Sequence, residues 1–328
     1  MARQGSGNGQ ALAFDRLQGN LWRGIRFGRV EWRGFDTAVK GTDLQLSWSL
    51  RALLRGKGLV HQLEAGTLVI QVPPGDPDKP RADVDMPGDF GLPFPLEIRK
   101  LAVGRLEIQP PAVNGKDAEP YVVLTDIDGT AEYAVGQYRI KTLALTSPWG
   151  QVRSATAQME GAPPHRLKGV IQANGQAQQW PYDATLTVDG DLARLPATLK
   201  GQLADGMADI QAVVKPLGRM PVERLHVRLA DTNLMRFTAL GKLAETGMDL
   251  DLDIDPVAGK KETWQGLIRV ANRRVGTLEA NRIPLRSLQS GIVFRIPPTA
   301  QWEHLYVALN DLAIGLPVSV QQADAGAV

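Results

Sequence analysis

The chain has 328 residues, a net charge of +2, 6% aromatic residues and no cysteine. The near-neutral charge and the scarcity of aromatic rings argue against a nucleic-acid surface, which needs basic clusters and base-stacking side chains. The lack of cysteine excludes disulfides, zinc–thiolate sites and thiol catalysis.

Both ends of the chain are predicted to be tails. Residues 1–13 are small, polar and glycine-rich, and residues 321–328 form a C-terminal tail. The sequence contains neither the apolar run of roughly 20 residues that a membrane-spanning helix needs nor the basic and apolar regions of a secretory signal. We therefore expect either a cytoplasmic protein or a fragment of a longer protein whose export segment is missing.

Residues 43–72 show most clearly the pattern that recurs along the chain. Apolar and polar residues alternate over 44–48, which predicts a strand with one apolar face. Ser49 then precedes good helix formers and Gly56 follows them, so a short helix is predicted between the two. Alternation returns over 59–72, which predicts further strands.

Two segments rich in proline, aspartate and glycine, residues 73–95 and 110–120, are predicted surface loops. From Tyr121 onward, short alternating segments follow one another, separated by turns such as Asp189-Gly190. We count roughly twenty predicted strands and only two predicted helices, near Ser49–Arg55 and Asn233–Gly241.

Many strands without long helices predict an all-β chain rather than a βαβ fold. An open sheet of more than about ten strands curls or splits because of its own twist. We therefore predict one elongated, curled, antiparallel-rich sheet that forms an open groove over residues 14–320, with apolar residues on its concave face.

Three segments carry a resemblance to a known family: GNLWRGIRFGRVEWRG, LQLSWSLRALLRGKGLVHQLEAGTLVI and, after the proline-rich insert, LPFPLEIRKLAVGRLEI. Their order and motifs resemble the N-terminal periplasmic part of the TamB family, in the AsmA-like group of bacterial envelope proteins. The resemblance is specific over residues 17–108 and diffuse afterwards.

The resemblance implies a periplasmic protein that is anchored in the inner membrane and folds as a long groove of curled sheet, a β-taco. It also implies that the protein works with the outer-membrane barrel TamA, either in moving phospholipid between the two membranes or in assembling outer-membrane proteins. The family's N-terminal membrane anchor and its C-terminal TamA-binding domain have no counterpart in this sequence, so we expect a segment of a longer chain.

Asp126 and Asp128 lie in YVVLTDIDGT, which matches the D-x-D-G-T loop of haloacid-dehalogenase-type phosphatases. In those enzymes the first aspartate attacks phosphorus and the second acts as acid and base. That chemistry also needs a lysine, an acidic pair for Mg²⁺ and a doubly wound sheet. We interpret the motif as a strand end followed by a turn at Gly129, and the phosphatase remains a remote alternative.

The carboxylates of residues 249–255 alternate with apolar residues. A period of two places them on one face of a strand, too far apart along a straight strand to share one calcium ion. We interpret them as a solvated face whose charge neighbouring arginines offset. The aspartates are Asp249, Asp251, Asp253 and Asp255, and the candidate arginines are Arg269, Arg273 and Arg274.

No metal, cofactor or catalytic site is predicted. The histidines at positions 61, 165, 226 and 304 show no metal-binding spacing, and no serine-hydrolase, phosphate-loop or dinucleotide motif occurs. The chain is therefore not predicted to be an enzyme.

The leading hypothesis is a periplasmic lipid conduit in which an apolar groove carries phospholipid acyl chains. Burial of about 0.8 kcal/mol per methylene would hold them there. The predicted groove residues are Leu44, Leu46, Leu68, Ile70, Leu96, Ile98, Leu106, Ile108, Leu250, Leu252 and Ile254. The rival hypothesis is a scaffold or chaperone that offers strand edges to unfolded outer-membrane proteins by β-augmentation.

Overall fold

The computed structural model describes residues 3–7, 10–20, 22–34, 37–73, 83–111, 119–177, 180–219, 221–233, 246–260, 263–295 and 306–315. The fold-class prediction is confirmed: 70% of the structure is strand and 2% is helix, and the strands form an open, curled sheet with one short helix. The chain divides into two compact units, one of Met1–Asp76 and Pro87–Gly175 and the other of Pro77–Met86 and Gln176–Val328.

The first unit contains eleven described strands and the helix. In chain order these are β1 (Arg3–Gly7), β2 (Gln10–Asp15), β3 (Gln18–Asn20), β4 (Gly24–Gly34), β5 (Thr37–Trp48), α1 (Leu50–Leu53), β6 (Gly58–Gln71), β7 (Leu96–Gln109), β8 (Val122–Ala134), β9 (Gln137–Ser147), β10 (Gly150–Glu160) and β11 (Leu167–Ala177).

The second unit contains eight described strands. They are β12 (Trp180–Gly190), β13 (Leu195–Leu203), β14 (Gly206–Val214), β15 (Val222–Thr232), β16 (Met248–Pro256), β17 (Thr263–Asn272), β18 (Ser287–Arg295) and β19 (Tyr306–Gly315). Each pairs antiparallel with the next.

The predicted helix after Ser49 is confirmed. Helix α1 begins where the Ser49 side chain accepts a hydrogen bond from the Ala52 amide at 3.2 Å, and such an N-cap satisfies an otherwise unpaired donor. The second predicted helix, near Asn233–Gly241, falls largely on residues 234–245, which lie outside the described residues. No helix among the described residues is long and apolar enough to span a membrane.

Strands β6 and β7 pair in parallel, with Leu68 opposite Leu106, whereas the other described pairings are antiparallel. A parallel partner requires the chain to return to the same end of the sheet before the second strand starts. The segment between Gln71 and Leu96, predicted from its prolines to be a loop, is this crossover, and its described parts, 72–73 and 83–95, contain no strand.

A row of local kinks crosses four neighbouring strands of the first unit. Asp43 on β5 and Asp126 on β8 adopt left-handed backbone conformations, with φ of +52° and +53°. Gly66 on β6 and Gly104 on β7 lie between them at the same level, and a Cβ atom on Gly104 would come within 2.8 Å of the Gly66 carbonyl oxygen. The kinks move the apolar residues from odd to even positions along β5, β6 and β7, and from even to odd positions along β8.

Candidate functional site

Strands β5–β8 of the first unit share one apolar face. Leu63 lies opposite Leu46 on one side and Leu101 on the other, and Leu106 lies opposite Leu68 and Leu124. Because neighbouring strands are about 4.8 Å apart, such cross-strand rows bring apolar side chains into contact. The rows form strips that run perpendicular to the strands.

The centre of this face is a buried apolar cluster. Ala65, Val103 and Ile127 lie side by side on β6, β7 and β8 and are between 7% and 9% exposed. Seven leucines pack around them: Leu44, Leu68, Leu101, Leu106, Leu124, Leu143 and Leu145.

One end of the face is covered by the crossover loop. Phe90 lies 5.7 Å from the ring of Tyr138 and stacks on His165 at 4.5 Å. The Tyr138 hydroxyl donates to the Phe90 carbonyl oxygen at 2.5 Å, and burial, together with Tyr133 and Asp89, raises the pKa of Tyr138. Loop side chains therefore close the face where β8 and β9 meet.

The second unit has its own apolar face. Leu252 lies opposite Val227 and Ile268, and Leu250 lies opposite Leu229 and Val270. A groove of about 690 Å³ runs over this face, within the range of roughly 300 to 1,000 Å³ that ligand clefts occupy. Its lining includes the apolar residues Leu229, Leu250, Val270, Leu288 and Ile314 together with the charged residues Arg228, Asp249, Asp251 and Arg269.

The structure places the eleven predicted groove residues on these two faces. Residues 44, 46, 68, 70, 96, 98, 106 and 108 belong to the first unit, and 250, 252 and 254 to the second. All eleven are half-buried, whereas side chains in the middle of a two-layer core are fully buried. Over the described residues, these faces are therefore only partly covered.

The opposite face of the first unit is polar and ion-paired. Lys100 Nζ lies 2.6 Å from Glu64 Oε1, and hydrogen bonds from Lys100 and Gln62 lower the pKa of Glu64. Glu97 accepts from Lys57 Nζ at 2.8 Å and from Arg99 Nε at 3.1 Å, and these bonds lower its pKa to about 2. The sheet is thus amphipathic across its thickness.

The polar face of the second unit confirms that arginines offset the charge of the aspartate row. Asp249 accepts from Arg273 Nε at 2.8 Å, and Asp255 accepts from Arg224 Nε at 2.5 Å. Asp251 pairs with Arg228 at 3.3 Å and with Arg269 at 3.9 Å. Two of the three predicted arginines, 269 and 273, therefore offset this row, whereas Arg274 pairs with Asp231 at 3.6 Å.

The predicted turn at Gly129 is wrong. Strand β8 continues through Asp126–Thr130, and Gly129 pairs with Leu101 and Leu143 in the middle of the sheet. The strand continues because a β-bulge forms at Asp126, where the backbone is left-handed. Aspartate tolerates this backbone conformation. Asp126 and Asp128 consequently lie on an antiparallel strand, whereas the phosphatase alternative places them after a parallel strand of a doubly wound sheet.

The histidines, which show no metal-binding spacing in the sequence, differ in their surroundings. His165 is fully buried, with Nδ1 3.1 Å from the Glu160 carbonyl oxygen and Nε2 3.0 Å from that of Pro87. His226 lies on the polar face, where its ligating atoms and those of Asp251 and Asp253 come within 4.8 Å of one another. Among the described residues this is the group of side chains whose geometry suits a metal ion.

Sequence reasoning missed the centre of the apolar face of the first unit, Ala65, Val103 and Ile127. It also missed four of the seven leucines around that centre: Leu101, Leu124, Leu143 and Leu145. In β7 the apolar residues occupy positions 96 and 98, then 101 and 103, then 106 and 108. The change from even to odd positions accompanies a register shift between Ile98 and Leu101. The change back to even positions occurs at the kink at Gly104. Glycines inside an alternating strand are the signal that indicates such kinks.

Comparison of the chain with protein-family models, with curated proteins and with solved structures gives no match.

Proposed function

We propose that the chain is part of a bridge-like lipid transfer protein whose apolar sheet faces hold phospholipid acyl chains. The observation that carries the proposal is the half-burial of all eleven predicted groove residues on continuous cross-strand rows. Apolar faces that the fold leaves only partly covered are typical of surfaces that bind apolar partners.

The charge distribution supports a lipid rather than a polar ligand. Carboxylates and cations pair with one another on the opposite face, as Lys100 does with Glu64 and Arg273 with Asp249. The apolar rows themselves contain no charged residue among the described positions. An acyl chain needs no specific polar contact, and burial contributes about 0.8 kcal/mol per methylene.

The resemblance to the TamB family supports the location and partners that we propose. On this basis the chain works in the periplasm as part of a protein anchored in the inner membrane, and an outer-membrane barrel of the TamA type is its partner. Phospholipid is the proposed cargo, and the protein is not proposed to be an enzyme.

The test is native mass spectrometry of the purified chain for bound phospholipid. We expect lipid on the unmodified protein, and loss of most of it in Ile108→Arg, because an arginine on the apolar face of the first unit brings a charge among acyl chains. Gln151→Arg, on an exposed position of β10, adds the same charge outside the apolar rows and is the matched control. Equal lipid binding by the two variants, or none by the unmodified chain, would contradict the proposal.

The scaffold alternative makes a different prediction for the same variants. A protein that offers strand edges to unfolded barrels relies on backbone hydrogen bonds. Ile108→Arg would then leave binding of an unfolded outer-membrane protein intact, whereas a proline in an edge strand would abolish it.

A further inference from the structure

The geometry points to a binding site for a divalent transition-metal ion on the polar face of the second unit, formed by His226, Asp251 and Asp253. His226 lies on β15 directly opposite Asp253 on β16. Asp251 is two residues away on the same strand and therefore on the same face. The pairing of the two strands, which the sequence spacing does not reveal, brings the three side chains together.

The ligating atoms are already near the separation that a metal ion requires. One nitrogen of His226 and one oxygen of each aspartate lie within 4.8 Å of one another, and His226 Nδ1 is hydrogen-bonded to Asp253 Oδ1. Zinc binds nitrogen and oxygen at about 2.0 to 2.2 Å, so its ligands are about 3.4 Å apart in a tetrahedral site. The side chains of Asp251 and Asp253 are 32% and 47% exposed, so they have room for this adjustment.

Asp251 offers an oxygen that the described structure leaves without a hydrogen bond. Its Oδ1 atom is shielded from solvent and accepts no hydrogen bond from the described residues, while Oδ2 accepts from Arg228 Nε at 3.3 Å. Arg269 Nη1 lies 3.9 Å from Oδ1, which is ion-pair distance but beyond hydrogen-bond distance. The ion pair with Arg269 is long, so a bound metal ion would give this carboxylate a closer cation.

The donor set selects the class of ion. One imidazole nitrogen with two carboxylate oxygens is typical of zinc and other first-row transition metals, whereas calcium prefers six to eight oxygens and magnesium prefers water and phosphate. Three protein ligands leave a coordination position for water. The ion would join β15 to β16, and the inference does not rest on the proposed function.

Isothermal titration of the full chain with Zn²⁺, together with Co²⁺ absorption, tests the site. We expect His226→Gln to weaken Zn²⁺ binding about tenfold or more. Loss of a residue that binds the metal directly should lower the affinity at least as much as loss of an outer-sphere partner. His61→Gln, an exposed histidine on β6 of the first unit, is the matched control and should bind Zn²⁺ as the unmodified chain does.

Two further variants keep the test decisive if His226→Gln unfolds β15. Asp253→Asn should weaken Zn²⁺ binding in the same way, and Arg269→Gln should strengthen it, because it removes the positive charge nearest to Asp251 Oδ1. The inference is overturned if the unmodified chain binds no Zn²⁺, or if His226→Gln and Asp253→Asn bind it as tightly as His61→Gln.

Discussion

Leu68 of β6 lies directly beside Leu106 of β7, although the two strands run in the same direction. A neighbouring strand in a β-sheet is usually reached by a short hairpin, which produces an antiparallel pair. The proline-rich segment returns the chain to the end of the sheet at which β6 begins, so β7 can run parallel to β6. The apolar face remains continuous across this change of direction because the register aligns the rows 63–101, 65–103, 68–106 and 70–108.

The apolar face of the second unit allows a similar test. There Leu252 occupies the middle of a row between Val227 and Ile268. We expect Leu252→Asp to reduce bound phospholipid several-fold, measured by native mass spectrometry, because a carboxylate cannot be buried among acyl chains without a large cost. Gln265→Asp, on an exposed position of the neighbouring strand, should retain its lipid. Retention of lipid by a folded Leu252→Asp would restrict the proposed lipid site to the first unit.

At the kink row, we expect the addition of a single methyl group to destabilise the fold. In Gly104→Ala the new Cβ would lie 2.8 Å from the Gly66 carbonyl oxygen, a backbone atom that cannot rotate away. We expect a loss of about 1 to 3 kcal/mol in the free energy of unfolding, as for other overpacked positions, measured by urea denaturation. Gly88→Ala has nothing within 4 Å of its Cβ, and its unfolding midpoint should be unchanged.

The turn between β8 and β9 offers a stabilising substitution. Val135 is 98% exposed with φ of +52°, and Gly136 follows with φ of +74°. A β-branched residue is strained in the left-handed region, whereas asparagine before glycine suits this two-residue hairpin turn. Val135→Asn should raise the free energy of unfolding by about 1 kcal/mol.

The control for this turn is Val170→Asn, which makes the same chemical change on a strand residue that is 39% exposed. It should not stabilise the protein, because Val170 has no left-handed strain to relieve. If both variants behave alike in urea denaturation, the gain does not come from the turn.

Acid sensitivity is expected at Glu97. Hydrogen bonds from Lys57 and then Arg99 lower its pKa from 4.5 to about 2. Because the folded pKa lies below the unfolded one, these contacts stabilise the protein fully above about pH 4.5, and the stabilisation is lost as the pH falls through about 2. Glu97→Gln should therefore show a smaller loss of thermal stability than the unmodified chain over this pH window.

The partner variant Lys57→Gln checks the cause of this shift. It removes the largest contribution to the lowered pKa of Glu97, so the folded pKa rises toward 4.5, and the acid-induced loss of stability should be smaller and end at a higher pH than in the unmodified chain. A thermal-melt profile unchanged by Lys57→Gln would assign the acid sensitivity to other carboxylates.

Local patterns in the sequence determined the class of fold and the short helix. Alternation with a period of two indicates a strand with one apolar face wherever the backbone is regular, so Leu44, Leu46, Leu250 and Leu252 could be assigned to apolar faces without coordinates. Ser49 predicted the start of α1 because a serine side chain caps the backbone amides that follow it. Both signals involve residues close together in the chain.

Features that depend on how neighbouring strands pair, namely the kink row and the strand register, are visible only in the tertiary structure. Alternation along one strand does not reveal the kink row, which moves Val103 and Ile127 onto the apolar face and extends β8 through Gly129. Nor does it reveal the register that places His226 beside Asp253, 27 residues away in the sequence. Register is set by the hydrogen bonds and packing of two strands together, so no single segment contains the information.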